Sequence, residues 1–164
     1  MKAIVAVDKK WGIGKDNGLL FSISADMKFF RETTAGKVVV MGANTLKSFP
    51  NGNPLKNRTN IVLSSKIKRD DCIVIDDIEK LIAEIKKYPK DDVYLIGGAM
   101  LYKTLLPYCE QALVTKVDAD GGAQVFFPNL DELKEWKCAY SSESLESNDY
   151  KIKFTTYENL SVKE

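Results

Sequence analysis

The 164-residue sequence contains no histidine. That absence excludes Ser-His-Asp and Cys-His nucleophilic catalysis, imidazole acid/base chemistry and histidine-ligated metals. A catalyst built from this chain must use carboxylates, hydroxyls, lysine, thiols, backbone dipoles or a bound cofactor. Cysteine is scarce as well. Cys72, Cys109 and Cys138 are odd in number and widely spaced, which fits reduced thiols and neither a disulfide framework nor a zinc site, so no metal is expected. Long apolar runs are missing: none approaches the ~20 residues of a spanning helix. The apolar stretch from Ala3 to Val7 is also too short for a secretory core and runs at once into Asp8, Lys9 and Lys10. Nor is there an excess of one charge, since 24 basic and 23 acidic side chains leave a net charge of +1. No general field attracts nucleic acid or an anionic membrane, so neither is expected as a partner, and any anionic ligand must be held by local groups. The chain reads as cytoplasmic.

What is present suits a globular domain. With 45% hydrophobic and 29% charged residues, the chain can close a hydrophobic core without staples, and residues 1–164 read as one domain. Apolar, β-prone runs at 1–7, 37–42, 59–63 and 92–97 lack polar alternation, so they predict interior strands covered on both faces. Helical stretches lie between them at 24–34, 44–49, 78–88 and 100–106. Ser24 is the expected N-cap of the first, with Asp26 in its first turn, and Pro89 and Pro107 should stop the later two. The last third differs: 111–117, 136–142 and 150–157 are strand-like with few helix signals between them. The expected fold is α/β, a single domain with a central, mostly parallel mixed sheet, an antiparallel C-terminal edge and about four flanking helices.

Two strands end alike. Val38-Val39-Val40-Met41-Gly42 runs into Ala43-Asn44-Thr45-Leu46, and Tyr94-Leu95-Ile96-Gly97-Gly98 into Ala99-Met100-Leu101-Tyr102. Each junction puts glycine between a strand's carboxyl end and a helix start, where free N–H groups and the helix dipole favour an anion. Glycine could equally make a plain turn, but two such junctions at one sheet edge point to a dinucleotide.

The residues also carry a family resemblance. Ile4-Val5-Ala6-Val7-Asp8, Trp11-Gly12-Ile13-Gly14-Lys15-Asp16-Asn17 and Ala25-Asp26-Met27-Lys28-Phe29-Phe30 resemble the start of dihydrofolate reductases in order and spacing. Lys37 to Thr45, Arg58 to Ser65, Ile96-Gly97-Gly98 with Tyr102, and Thr115 follow in register, so the match spans nearly the whole chain. The resemblance implies a three-layer sandwich that reduces dihydrofolate to tetrahydrofolate with NADPH, as a monomer. It implies that Asp26 grips the pterin, with Thr115 orienting it and Phe21 completing the catalytic group. Ile4, Val5, Met27, Phe30, Phe49, Leu55 and Ile96 would line the substrate pocket, the carbonyls of Ile4 and Ile96 meeting the pterin amino group. Arg58 would take the glutamate tail. Ala6, Ile13, Gly14, Asn17, Leu19 and Thr45 would frame the nicotinamide. The rest of the cofactor would lie along Gly42, Ala43 and Asn44, along Leu63, Ser64, Ser65 and Lys66, and along Gly97, Gly98, Ala99, Met100, Leu101 and Tyr102. The glycine-bearing loop from Asp8 to Ser22 would close over the nicotinamide.

Asp26 lies among Ile23, Met27, Phe29 and Phe30, so an inward-facing carboxylate there would lose solvent and its pKa would rise. Alternatively it is an ordinary first-turn acid. Several landmarks depart from the family pattern. Leu20-Phe21 stands where Pro-Trp is usual, and phenylalanine has no N–H to hold a water. Ala43 and Met100 occupy places where basic residues are common, and the Gly-Asp-x-x-Phe-Pro segment reads Ala123-Gln124-Val125-Phe126-Phe127-Pro128, without its aspartate. Thinned positive charge leaves Ser65, Lys66 and Lys68 or Arg69 for the cofactor's extra phosphate, and predicts weaker discrimination against NADH. Two other readings stand beside the main one: a same-fold reductase of a ribosylated pyrimidine in flavin synthesis, and a pterin-binding homologue without turnover.

Overall fold

The computed structural model describes residues 1–16 and 18–164. In chain order the strands are β1 (Lys2–Val7), β2 (Gly12–Lys15), β3 (Gly18–Leu19), β4 (Val38–Gly42), β5 (Thr59–Leu63), β6 (Ile73–Ile75), β7 (Val93–Gly97), β8 (Gln111–Val117), β9 (Val125–Phe126), β10 (Trp136–Ser141), β11 (Leu145–Ser147) and β12 (Tyr150–Asn159). The helices are α1 (Ser24–Thr34), α2 (Ala43–Ser48), α3 (Ile78–Ile85) and α4 (Ala99–Leu105).

Four buried residues in succession, Val38 to Met41, put β4 deep in the main sheet, because an unbroken apolar run needs cover on both faces. That sheet has nine strands in the order β10-β12-β8-β1-β7-β4-β5-β6, with β11 beside β12. Pairing from β8 through β6 is parallel, whereas β12 runs antiparallel to β8, β10 and β11. The expected parallel centre and antiparallel C-terminal edge are both present.

Period-2 alternation sorts the residues of each strand onto two faces. Val38 and Val40 of β4 join a core with Leu81 of α3 and with Leu101 and Leu105 of α4. Val39 and Met41 face the other way and pack with Leu46 of α2. On β8, Ala112 and Val114 belong to the first core, while Val117 packs with Ile23 and Ala25 at the start of α1. Helices α1 and α2 therefore cover one face and α3 and α4 the other, which makes three layers. Among the described residues no helix is long and apolar enough to cross a membrane.

The structure corrects the sequence reading in three places. Ser24 is the first helical residue and not the N-cap, which is Ile23. The free amides of α1 are instead met from a distant turn, Ser24 N–H donating to Asn148 Oδ1 (2.7 Å) and Ala25 N–H to Ser147 Oγ (3.2 Å). Second, α3 ends at Ile85, three residues before Tyr88. Third, sequence patterning missed β6, β11 and a small second sheet, β3-β2-β9, in which two surface segments pair. Strands of two to four residues hold too few side chains for alternation to register.

Candidate active site

The site begins where two parallel strands part. The ladder between β1 and β7 holds only Lys2 to Tyr94 and Ala3 to Leu95, while β1 stays paired with β8 along its whole length. Ile4 and Ile96 lie one residue beyond the last rung, and the carboxyl halves of β1 and β7 diverge. A backbone polar group released from a ladder needs another partner. The Tyr102 hydroxyl, from the opposite face of the sheet, fills that role by donating to the Ile4 carbonyl at 2.7 Å in a buried position. A carbonyl has a second lone pair, so Ile4 can still accept from a ligand.

Asp26 lies beside this opening. It is half-buried, and no cation pairs with it among the described residues. Burial raises its pKa above the ordinary carboxylate value, and the Thr115 hydroxyl partly offsets the shift by favouring the charged form. Thr115 is itself buried on β8, level with Ala6 of β1. The two side chains are close enough to interact without a direct hydrogen bond in this geometry. The Tyr102 phenol is pushed up strongly by burial and further by the neighbouring Asp26 charge. Asp26, Thr115, Tyr102 and Ile4 thus converge from α1, β8, α4 and β1.

Phe30, one turn after Asp26, lies on the same side of α1. Phe29 points elsewhere, packing on Phe154 with ring centroids 4.9 Å apart. Phe49, Leu55 and Ile96 pack together against buried Val39, Met41, Leu46 and Val62, giving an apolar wall on the same face of the sheet. Met27 is half-exposed and Val5 partly buried. Phe21 lies edge-on to Tyr150, centroids 5.0 Å apart, over Ile23, Val117 and Ile152. It carries no polar atom, so its contribution is a wall and not a proton.

Arg58 is anchored at the far end of α1. Its Nε donates to Thr34 Oγ1 (2.8 Å), Nη1 to the Lys56 carbonyl (2.6 Å) and Nη2 to the Arg31 carbonyl (3.2 Å). Burial and then the Arg31 charge lower its pKa, the mark of a cation lacking an acid partner. A guanidinium has five N–H donors, so two remain for a carboxylate. Arg31 is a neighbour that sequence reading missed, since nothing local tells an exposed helix-end arginine from a surface charge.

The two glycine junctions meet. A Cβ on Gly42 would lie 4.0 Å from the Gly98 nitrogen, and one on Gly97 would come within 3.0 Å of Thr45 Oγ1. Gly97 also has φ +142°, a conformation that L side chains rarely adopt, and is joined to Gly98 by a cis peptide bond. Helices α2 and α4 start here with no side-chain cap, which leaves their first N–H groups to a ligand. This cradle, which any side chain would fill, fits the phosphates of a dinucleotide. Ala43, Thr45 and Ala99 are partly buried at its rim, Asn44 is exposed, and Met100 is 71% exposed. Leu101, by contrast, is buried in the main core, so its side chain supports the turn and does not reach a ligand.

Leu63, Ser64, Ser65 and Lys66 follow along the end of β5. A cleft of about 530 Å³ opens there, lined by Ser64, Ser65, Lys66, Lys68, Ile75 and Lys80 among others. Arg69 is a weaker candidate than its sequence position implied: its guanidinium forks onto both Asp71 oxygens (2.9 and 2.6 Å) and bonds the Gly52 carbonyl. Ala6, Ile13 and Gly14 are partly buried along β1 and β2, and Leu19 is 81% exposed on β3. Asn17 lies outside the described residues.

Sheet and site together define the class: an α/β enzyme with an open cleft and a glycine cradle at the carboxyl edge of a parallel sheet, beside a desolvated acid that no cation pairs among the described residues. Comparison with known proteins narrows this. A family model described as dihydrofolate reductase matches residues 1–159. The chain is 34% identical over 154 residues to a dihydrofolate reductase of Haemophilus influenzae, covering 92% of this chain and 93% of that one. It is also 34% identical over 159 residues to the Bacillus subtilis dihydrofolate reductase (94% and 92%) and over 161 residues to that of Staphylococcus haemolyticus (96% and 94%). The chain belongs to the dihydrofolate reductase family.

Proposed function

We propose that this chain reduces 7,8-dihydrofolate to 5,6,7,8-tetrahydrofolate with NADPH. Residues 1–164 act as one domain and as a monomer. A reducing cytoplasm suits its three free cysteines. The observation that carries the reading is Asp26, a half-buried carboxylate with a raised pKa and no ion-pair partner among the described residues, beside the opening between β1 and β7.

A carboxylate accepts two hydrogen bonds side by side, which matches a ring N–H next to an exocyclic amino group. Asp26 therefore fixes the pterin's orientation, and the one remaining amino hydrogen is left for a backbone carbonyl at the gap, that of Ile4 or Ile96. Phe30, Phe49 and Leu55 exclude water around the ring, and Arg58 holds the tail carboxylate. The reaction adds one hydride and one proton across a ring C=N bond, and the nicotinamide supplies the hydride. The raised pKa lets the Asp26 carboxyl hold a proton at a higher pH than an exposed carboxyl would, which favours the electron-poor form of the substrate. Thr115 lies beside the carboxyl and favours its charged form, and Tyr102 holds the Ile4 carbonyl.

Along the cofactor, the Gly42 and Gly97-Gly98 junctions receive the phosphates. With Ala43 and Met100 uncharged and Arg69 committed to Asp71, Ser64, Ser65, Lys66 and Lys68 remain for the extra phosphate of NADPH. A lost charge-assisted hydrogen bond is worth ~1.5–3 kcal/mol, so preference for NADPH over NADH should be weaker than several arginines would enforce. The test follows reduced-cofactor absorbance with dihydrofolate and NADPH, then with NADH. Turnover with a ribosylated pyrimidine but not with dihydrofolate would move the chain to the flavin-pathway reading, and pterin binding without turnover would make it a binding protein.

A further inference from the structure

Asp8 is 2% exposed, and no cation pairs with its carboxylate among the described residues. The adjacent lysines are directed elsewhere, Lys9 toward Asp118 (3.9 Å) and Lys10 toward Asp120 (2.9 Å). The buried charge is met by backbone instead. Oδ1 accepts from Gly12 N–H at 2.7 Å and Lys10 N–H at 2.9 Å, and Oδ2 accepts from Gly121 N–H at 3.0 Å. A charge so deeply buried persists only where its hydrogen bonds are complete.

The two oxygens serve different segments. Oδ1 holds the base of the hairpin formed by β2 and β3, whereas Oδ2 reaches across to the segment leading into β9. The rest of that joint follows from this contact. Gln124 N–H donates to the Gly14 carbonyl (2.9 Å) and Phe127 N–H to the Trp11 carbonyl (2.8 Å), while Asp16 N–H donates to Gln124 Oε1 (3.0 Å). Both glycines are required by space. A Cβ on Gly12 would lie 2.3 Å from Ala123 Cβ and 2.9 Å from Asp8 Oδ1, and one on Gly121 would lie 2.5 Å from Leu20 Cγ.

We propose that Asp8 is a positioning residue for the cofactor: its carboxylate locks the β2–β3 hairpin onto the β9 segment and so presents Ile13, Gly14 and Leu19 to the nicotinamide. This rests on the functional reading above. Asp8 touches no substrate, and it acts through the hairpin backbone. Its effect falls on the cofactor and spares the pterin-pocket walls Phe30, Phe49, Leu55 and Ile96, which lie outside the hairpin.

Asp8→Asn keeps size but sets an amide N–H against one of the backbone donors. Cofactor KM should rise about tenfold while dihydrofolate KM stays within about twofold. An unchanged cofactor KM, or a parallel rise in both, overturns the proposal. Should that variant fail to fold, Gly121→Ala, which pushes the segment off the carboxylate through Leu20, must give the same split. Amide exchange of the wild-type chain without cofactor reads the joint directly. The Gly12 and Gly121 amides should exchange at least about a hundredfold more slowly than free amides, and exchange at the free rate overturns the proposal. A wild-type chain that fails to turn over dihydrofolate removes the functional reading and leaves the exchange result standing.

Discussion

Replacing Asp26 by asparagine keeps the side chain's shape and removes its charge and its proton. Burial raises the Asp26 pKa, so the folded chain binds the proton more readily than the unfolded chain does. Relative to the unfolded state, the stabilising contribution is complete below the ordinary value of 3.8 and is lost as pH rises through the raised native pKa. Once that contribution is lost the wild type carries a desolvated charge that destabilises it, so at pH 7, well above the ordinary carboxylate value, Asp26→Asn should melt at a higher temperature. The difference should close as the pH falls below ~4. Activity should move the other way. A positioned proton donor or acceptor contributes about 10²–10⁴-fold, so kcat at neutral pH should fall by that factor. Losing a charge-assisted grip of ~1.5–3 kcal/mol should weaken dihydrofolate binding by between about tenfold and a hundredfold. Wild-type kcat should decline as pH rises through the Asp26 pKa, and the variant's profile should be flat there. Thermal melts at pH 7 and pH 3.5 alongside pH–rate profiles decide the matter. A variant that is less stable at pH 7, or that keeps kcat within tenfold of wild type, refutes the reasoning.

Arg58→Lys cannot reproduce three anchoring bonds and still present a fork, so dihydrofolate KM should rise about tenfold with kcat nearly unchanged, as steady-state kinetics would show. Gly97→Ala brings a methyl group within 3.0 Å of Thr45 Oγ1 at φ +142°; it should cost ~1–3 kcal/mol in urea unfolding and weaken cofactor binding, measured by fluorescence titration. Asn148→Ala removes the acceptor for Ser24 N–H, so denaturant melts should show a loss of ~0.5–2 kcal/mol, typical of a missing helix cap.

Much of the fold was legible because its signals are local. The runs at β1, β4, β5 and β7 lack alternation because both faces are covered, whereas β12, nearer the sheet's edge, mixes exposed Lys151, Lys153 and Glu158 with buried Ile152 on one face and Thr155 and Tyr157 on the other. Glycine after β4 and β7 announced the two junctions. Asp26 could be singled out from its apolar neighbours and the family pattern, with desolvation expected only for an inward-facing side chain, and the folded chain supplies that orientation.

The sequence by itself determined chemistry and layering: no histidine, hence no imidazole catalysis, and strand and helix periods that permit one α/β architecture. Tertiary structure alone decided which groups share a partner. The Ser24 amide is capped from residue 148, Arg69 is withdrawn by Asp71 and Gly52, Tyr102 reaches Ile4 across the gap between β1 and β7, and Asp8 holds an amide 113 residues away. Hydrogen bonding and desolvation act over a few ångströms in space, whatever the separation along the chain. A pattern of neighbours can therefore state which side chains could react, and only the folded backbone states which of them are already satisfied.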